Sequence, residues 1–189
     1  MSAATLLVTT AADFAARAHV NDRRKGAAGE PYINHLAEVA ALLAVATEGE
    51  DAVLIAAGYL HDTLEDTATT FETLEDHFGA EVAGVVAEVT DDKSLPKAER
   101  KRRQAETVAK KSRRARLLKI ADKTSNLRAL AASPPVAWDR ERLSAYVDWA
   151  EEVAGQCRGQ NGFLDAVFIE ARDTARREIN AKIARDGAR

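Results

Sequence analysis

Apolar residues recur every three or four positions along most of the chain, and few stretches alternate between apolar and polar residues as a half-buried strand would. This periodicity predicts an all-α protein. We expect a first helix around Phe14, then a glycine-bearing loop over residues 21–32, in which Pro31 opens the second helix because proline is tolerated in the first helical turn. The second helix has one apolar face, made by Ile33, Leu36, Val39, Ala40 and Leu43.

The middle of the chain repeats this pattern between clear start and stop signals. A third helix is expected from about Asp51 into the sequence GYLHDTLEDT, residues 58–67. A fourth starts at a capping box formed by Thr69 and Glu72, and it ends at Gly79. The helix after it has an apolar face at Val82, Val85, Val86 and Val89.

The second half begins with a loop at residues 90–96 and a strongly basic helix. A further helix is expected over residues 115–132, and a break at residues 133–135 precedes two long C-terminal helices, the last within 160–189. Their apolar positions include Trp138, Leu143, Val147, Phe163, Val167 and Phe168. We therefore expect one compact all-α domain of about eight to ten helices over residues 1–189.

Composition excludes several classes of protein. The 46% apolar content is too high for a disordered chain, and no apolar run approaches the roughly 20 residues that span a bilayer. The single cysteine, Cys157, rules out an internal disulfide and a thiolate zinc site. We expect a cytoplasmic protein with no membrane partner, since a lone cysteine suits a reducing compartment.

Positive charge is concentrated in residues 97–116, which hold ten Lys or Arg against two Glu in a chain of net charge −3. This segment could attract a polyanionic nucleotide, contact RNA phosphates, or form a solvated helix face. An aromatic content of 5% and a pI near 5.9 argue against a nucleic-acid partner. Within the segment, Lys97 is the residue that we expect at a phosphate.

The sequence GYLHDTLEDT crowds ionisable side chains onto an otherwise apolar helix, where they are costly unless they are paired or bound to a metal. Adjacent helical residues diverge by about 100°, so His61 and Asp62 can reach one ion only from a helix end or an irregular turn. Glu65 and Asp66 follow one turn later and are candidates to orient or deprotonate a water molecule. The alternative for this pair is a solvated helix end.

A metal site needs more than two ligands, and two apolar helices supply candidates. His35 lies in PYINH on the second helix, and Asp122 lies in KIADKTSN. Together with His61 and Asp62 they would give two imidazoles and two carboxylates, a set that suits manganese, iron or zinc. The alternative for each residue taken alone is a hydrogen-bonded core position. We expect the other two histidines, His19 and His77, on the surface.

The residues His35, His61, Asp62 and Asp122 resemble the H…HD…D signature of the HD-domain phosphohydrolases. Within about residues 10–150, four ordered blocks are similar to the hydrolase domain of RelA/SpoT-type enzymes, and most of all to free-standing metazoan-type small alarmone hydrolases. The blocks are RRKGAAGEPYINH, LHDTLEDT, FGAEVAGVVAEVTDDKSLPKAERKR and KIADKTSNL. The resemblance implies a manganese-dependent enzyme that removes the 3′-pyrophosphate from guanosine penta- or tetraphosphate, (p)ppGpp.

The resemblance also implies a role for each matching residue. The metal ligands are His35, His61, Asp62 and Asp122, the attacking water is handled by Glu65 and Asp66, and the substrate contacts are Arg24, Lys25 and Asn126. Two cations in one glycine-bearing loop can clamp a pyrophosphate. Arg142 and Tyr146, on a later helix, are further candidates to pair with or stack on a nucleotide.

The sequence departs from the related pattern after Asp122. Thr124 and Ser125 stand where related sequences often carry an apolar residue followed by an aromatic ring or His, and Ala129 replaces a Thr or Asp. We expect these differences to bear on base recognition. Two alternatives to alarmone hydrolysis therefore stay open: an NADPH or other nucleotide phosphatase on the same site, and a non-catalytic module that senses nucleotides. Fe²⁺ and Zn²⁺ are the alternatives to Mn²⁺.

Overall fold

The computed structural model describes the backbone of residues 2–186 and the side chains of residues 2–181. This part of the chain contains ten α-helices and no strand beyond an isolated bridge between Arg23 and Pro31. The helices are α1 Ala3–Ala18, α2 Ile33–Ala46, α3 Ala52–Leu60, α4 Thr63–Asp66, α5 Phe71–Phe78, α6 Ala80–Val89, α7 Lys97–Thr107, α8 Arg113–Ala132, α9 Arg140–Gly155 and α10 Gly162–Asp186. The prediction of an all-α fold with eight to ten helices is confirmed.

Two predicted helix starts are displaced by one or two residues. The N-cap of α5 is Thr70, whose hydroxyl accepts from the backbone N–H of Thr73, because the hydroxyl of Thr69 is taken by Thr67. The second helix begins at Ile33 and not at Pro31, since Pro31 is engaged in the bridge with Arg23. Gly79 ends α5 with φ +82°, as its position predicts.

Helix α8 passes through the centre of the fold and packs against α2, α6, α9 and α10. Its apolar residues are fully buried, among them Leu117, Leu118, Ile120, Ala121 and Leu127. On the other side of the core, α3 packs against α1, α2 and α6. Helices α2 and α8 both contact α3, the helix that leads to His61. None of the described helices is both long and apolar enough to cross a membrane.

Close packing of α2 and α3 depends on Gly58. A Cβ atom at this position would lie 2.9 Å from Leu43 Cδ1 and 3.1 Å from Ala40 Cα, so a larger residue would push the two helices apart. The imidazole rings of His35 on α2 and His61 at the end of α3 lie with their centroids 5.1 Å apart. The missing side chain thus lets two histidines from different helices meet.

Candidate active site

The HD dipeptide lies in a break between two helices. Helix α3 ends at Leu60 and α4 starts at Thr63, so His61 and Asp62 occupy the turn between them. The hydroxyl of Thr63 donates to the carbonyl of Leu60 at 2.6 Å and holds this turn. In this geometry His61 Nε2 lies 3.1 Å from Asp62 Oδ2, so adjacent residues converge as a continuous helix would not allow.

Four side chains from three parts of the chain meet at this turn. His35 Nε2 lies 3.6 Å from Asp62 Oδ2 and 3.4 Å from Asp122 Oδ1, and His61 Nε2 lies 3.9 Å from Asp122 Oδ1. One donor atom each from His35, His61 and Asp62 fall within 4.8 Å of one another. His35, His61 and Asp122 are only 2%, 3% and 6% exposed.

This cluster fits a divalent metal ion. His61 Nε2 is buried and has no hydrogen-bond partner among the described residues, although an unpaired buried nitrogen is costly. The nitrogen faces the carboxylates of Asp62 and Asp122, an arrangement in which it can bind a cation as a ligand atom. Imidazole nitrogens with carboxylate oxygens are donors that manganese, iron and zinc all accept.

Hydrogen bonds on the far side of each ring fix which nitrogen faces the cluster. His61 Nδ1 lies 2.9 Å from the carbonyl of Gly58, which can only accept, so Nδ1 donates. His35 Nδ1 lies 2.9 Å from Ser125 Oγ, and that hydroxyl donates to Glu38 Oε2 at 2.7 Å, so it accepts from His35. In the neutral form of each ring, the Nε2 lone pair therefore faces the cluster.

The two carboxylates are held in their charged form. Burial alone would raise the pKa of Asp62, but His61 and His35 keep it well below its usual range. Burial likewise opposes ionisation of Asp122, whose pKa is kept low chiefly by Lys123 and then by His35. Charged carboxylates are the form that binds a cation.

Glu65 and Asp66 lie on α4, beside the cluster, and face a cleft. Glu65 accepts hydrogen bonds from Arg100 at 3.1 Å and from the backbone N–H of Asp91 at 3.3 Å. Burial raises the pKa of Glu65, and the charges of Asp91 and Asp62 raise it further. Asp66 pairs with Lys93. The pair is thus built into a network with the 90–100 segment, unlike a freely solvated helix end.

The cleft has a volume of about 430 Å³, and it is walled mostly by cations and aromatic rings. Of the candidate substrate contacts it brings together Arg24, Lys25, Lys97, Asn126 and Tyr146. Arg24 donates to Asn126 Oδ1 at 3.3 Å, and Asn126 donates to Asp122 Oδ1 at 2.6 Å. Arg142 does not line the cleft, and its guanidinium lies 4.5 Å from the centre of the Trp138 ring.

The loop that carries Arg24 and Lys25 is fastened to the end of α8. A Cβ atom on Gly26 would lie 2.2 Å from the carbonyl oxygen of Ser133, and the Ser133 hydroxyl accepts from the N–H of Ala28 at 2.9 Å. The two cations therefore sit on a fixed loop.

The sequence did not single out several residues of the site. The Tyr32 hydroxyl donates to Asp62 Oδ2 at 2.6 Å, and Arg100, Lys123 and Trp149 also line the cleft. Tyr32 lies within the PYINH block, so its position three residues before His35 was an available signal. Arg100 was hidden among ten basic residues, most of which have other roles: Arg102, for example, pairs with glutamates of its own helix.

One prediction about an individual residue is wrong. His19 is 2% exposed, because α1 ends there and its ring packs against Tyr32 with centroids 5.1 Å apart. His77 is exposed, as predicted. Thr124 and Ser125 do not line the cleft: Thr124 donates to a carbonyl of α8, and Ser125 accepts a hydrogen bond from His35. Ala129 does line the cleft.

Comparisons with known proteins place this geometry in a family. A family model described as HD domain matches residues 11–151. The chain belongs to the HD-domain family. It is 47% identical over 174 residues to a guanosine-3′,5′-bis(diphosphate) 3′-pyrophosphohydrolase, MESH1, of Xenopus tropicalis, with 90% of this chain and 97% of that protein covered. The Homo sapiens protein of the same name is 48% identical over 155 residues, with 82% and 87% covered.

A solved structure of this HD-domain group superimposes closely. It is described as a metazoan ortholog of SpoT that hydrolyzes ppGpp, and it matches with a TM-score of 0.85 and 43% identity. The match covers 90% of this chain and 94% of the other. The resemblance drawn from the four sequence blocks is confirmed.

Proposed function

We propose that this HD-domain protein is a manganese-dependent hydrolase that releases pyrophosphate from the 3′ position of guanosine penta- or tetraphosphate. The observation that carries the proposal is the buried His–Asp cluster, with its unpartnered Nε2 atom, at the wall of a cationic cleft. The names of the similar proteins supply the substrate and the reaction.

The ligands in this proposal are His35, His61, Asp62 and Asp122. A metal ion held by them would lower the pKa of a bound water and polarise a phosphoryl oxygen. None of these four ligands is a thiolate, so nothing biases the choice toward zinc, and the two carboxylates suit manganese.

The chain's own residues would bind and orient the reactants. Arg24 and Lys25 would clamp the pyrophosphate, as two cations on a fixed loop can do without further ordering. Glu65 would accept a proton from the attacking water, since its raised pKa makes it a better base than an ordinary surface glutamate. Arg100 would keep the Glu65 carboxylate pointed at that water.

Hydrolysis would take place as a single displacement at phosphorus. The water oxygen forms a bond with the phosphorus attached to the ribose 3′-oxygen, and the bond between that phosphorus and the 3′-oxygen breaks. The 3′-oxygen takes up a proton, and the pyrophosphate leaves with the new oxygen. Asp66, held by Lys93, would share in orienting the water.

Product analysis tests this function. The purified protein, loaded with Mn²⁺, would be incubated separately with guanosine tetraphosphate, NADPH and common nucleoside triphosphates. Release of pyrophosphate from guanosine tetraphosphate, with no orthophosphate, is the expected result. Orthophosphate from NADPH alone would make the protein a nucleotide phosphatase, and tight nucleotide binding without turnover would make it a sensor.

A further inference from the structure

Three aromatic rings form a row along the wall of the cleft. The centroids of Trp138 and Tyr146 are 5.6 Å apart, and those of Tyr146 and Trp149 are 5.5 Å apart. All three line the cleft. Neighbouring rings are tilted to one another by 53° and 60°, and at least one cation lies over each ring, so the cations along the row define what can bind there.

The Trp149 end of this row carries two ammonium groups. Lys101 Nζ lies 4.4 Å and Lys123 Nζ lies 4.3 Å from the centre of the Trp149 ring. Lys123 also donates to Asp122 Oδ2 at 2.9 Å, while Asp122 Oδ1 faces His35. This end therefore adjoins the candidate metal ligands.

Like Lys97, and unlike the arginines of α7, Lys101 has no carboxylate partner among the described residues. Arg102 and Arg103 pair with Glu99, and Arg100 pairs with Glu65, whereas no described carboxylate lies within 4.0 Å of the Lys101 ammonium. Its only contacts with described charged or aromatic groups at close range are the rings of Tyr146 and Trp149. Cation–π contacts leave its three N–H donors free for an anion.

Several ammonium groups lie close together near the Trp149 end. Burial and then the charges of Lys97 and Lys123 together lower the pKa of Lys101 to about 8. One turn before Lys123, the buried Lys119 also lines the cleft and donates to the carbonyl of Val89 at 2.7 Å. A multiply charged anion would relieve the repulsion among these ammonium groups.

We propose that Lys101 and Lys123, at the Trp149 end, bind the outer phosphate of the 3′-pyrophosphate. This inference rests on the proposed function, because it assumes that the inner phosphate reacts at the His–Asp cluster. One bridging oxygen separates the outer phosphate from the inner phosphate. The Trp149 end is close enough to receive it, because Lys123 at this end pairs directly with Asp122, a candidate metal ligand.

The subsite would select for pyrophosphate esters over monophosphate esters. A monophosphate at the cluster would leave the Lys101 ammonium without an anion, so it would gain nothing from this end of the cleft. The selection would act through binding energy that is available only to a substrate with a second phosphate.

Anion binding without turnover provides the test. Inorganic pyrophosphate and orthophosphate would be titrated by calorimetry into the Mn²⁺-loaded protein and three variants. Lys101→Met keeps the aliphatic stem against the rings and removes the charge, Lys101→Arg keeps the charge, and Lys110→Met is a control on an exposed lysine outside the cleft. Thermal unfolding would show that each variant is folded.

Lys101→Met is expected to weaken pyrophosphate binding about tenfold or more, as loss of a charged hydrogen bond does, and orthophosphate binding less than about twofold. Lys101→Arg and Lys110→Met should stay near wild type. An unchanged pyrophosphate affinity in Lys101→Met, or an equal loss for both anions, would overturn the subsite. If the wild type fails to hydrolyse guanosine tetraphosphate, the proposed function fails, and these binding measurements still decide whether the anion subsite exists.

Discussion

At the scale of single residues, each candidate ligand is oriented by a group behind it. The carbonyl of Gly58 and the hydroxyl of Ser125 each accept a hydrogen bond from one histidine, and Asn126 donates to Asp122. Tyr32 does the same for Asp62, by a hydrogen bond of 2.6 Å to Oδ2. Such partners set how firmly a ligand is aimed, and removing one costs affinity while the fold persists.

Tyr32→Phe should therefore weaken metal binding by roughly 10- to 100-fold while the protein remains folded. The substitution removes only the hydroxyl that holds Asp62 Oδ2, and the ring can keep its contacts with His19 and His35. Competition with a metal-binding dye would measure the affinity. Tyr59→Phe is the matched control, since Tyr59 packs against the hydrophobic core and does not line the cleft. Equal affinities in the two variants would contradict the role given to Tyr32.

Glu65 and Asp66 are expected to act on the water and not on the metal. Glu65→Gln preserves the shape of the side chain and its contact with Arg100 but removes the basic oxygen, so turnover should fall by about a hundredfold or more. Asp66→Asn should lower turnover as well. Metal titration with single-turnover hydrolysis would separate the cases: near-normal turnover would make the pair a mere helix end, and loss of metal would make them ligands.

At the scale of elements, the site depends on how α2, α3 and α8 cross. Helices α2 and α8 each contribute one ligand, the turn after α3 contributes two, and α2 and α3 approach each other closely at Gly58. The glycine lies within the last turn of α3, where its conformational freedom is a cost relative to alanine. Packing between α2 and α3 explains why the position is nonetheless a glycine.

Gly58→Ala should lower the free energy of unfolding by about 1–3 kcal/mol, because the new methyl group overlaps Leu43 and Ala40. It should also weaken metal binding by separating His35 from His61. Gly84→Ala in α6 is the control: its Cβ would meet no heavy atom within 4 Å, and it should stabilise the protein by up to about 1 kcal/mol. Urea unfolding of both variants measures this difference, and a similar stability in both would rule out the close approach.

The sequence predicted the elements better than the contacts between them. Helical periodicity located nearly every helix, and the divergence of adjacent residues required the turn at His61 and Asp62. Periodicity could not predict the burial of His19 or the position of the Lys101 ammonium, because both depend on rings from other segments of the chain, those of Tyr32 and Trp149. The exact cap of α5 was ambiguous because two threonines stand in sequence and either can cap.

At the scale of the whole molecule, the four candidate ligands tie together segments that are far apart in sequence. His35 comes from α2, His61 and Asp62 from the turn after α3, and Asp122 from α8. A cation that binds all of them binds the folded chain and not the unfolded one, so its binding free energy adds to stability. Metal binding should therefore raise the stability of the whole protein against unfolding.

Addition of Mn²⁺ to the chelator-treated protein should raise the melting temperature. A ligand at 100 times its Kd contributes about 2.7 kcal/mol. For a chain of 189 residues, 1 kcal/mol shifts the melting temperature by roughly 2–4 °C, so a rise of about 5–10 °C is expected. Differential scanning calorimetry over a series of Mn²⁺ concentrations would measure it, and the rise should grow with the logarithm of concentration.

Two variants determine whether such a rise comes from the His–Asp cluster. Asp122→Ala removes a proposed ligand, so its melting temperature should no longer respond to Mn²⁺ at the same concentrations. Glu65→Gln leaves all four proposed ligands in place and should keep the full response even though it has lost turnover. If Asp122→Ala responds as the wild type does, the ion is bound elsewhere. If the melting temperature of the wild type does not respond to Mn²⁺, the proposed metal site is wrong, and so is the mechanism that depends on it.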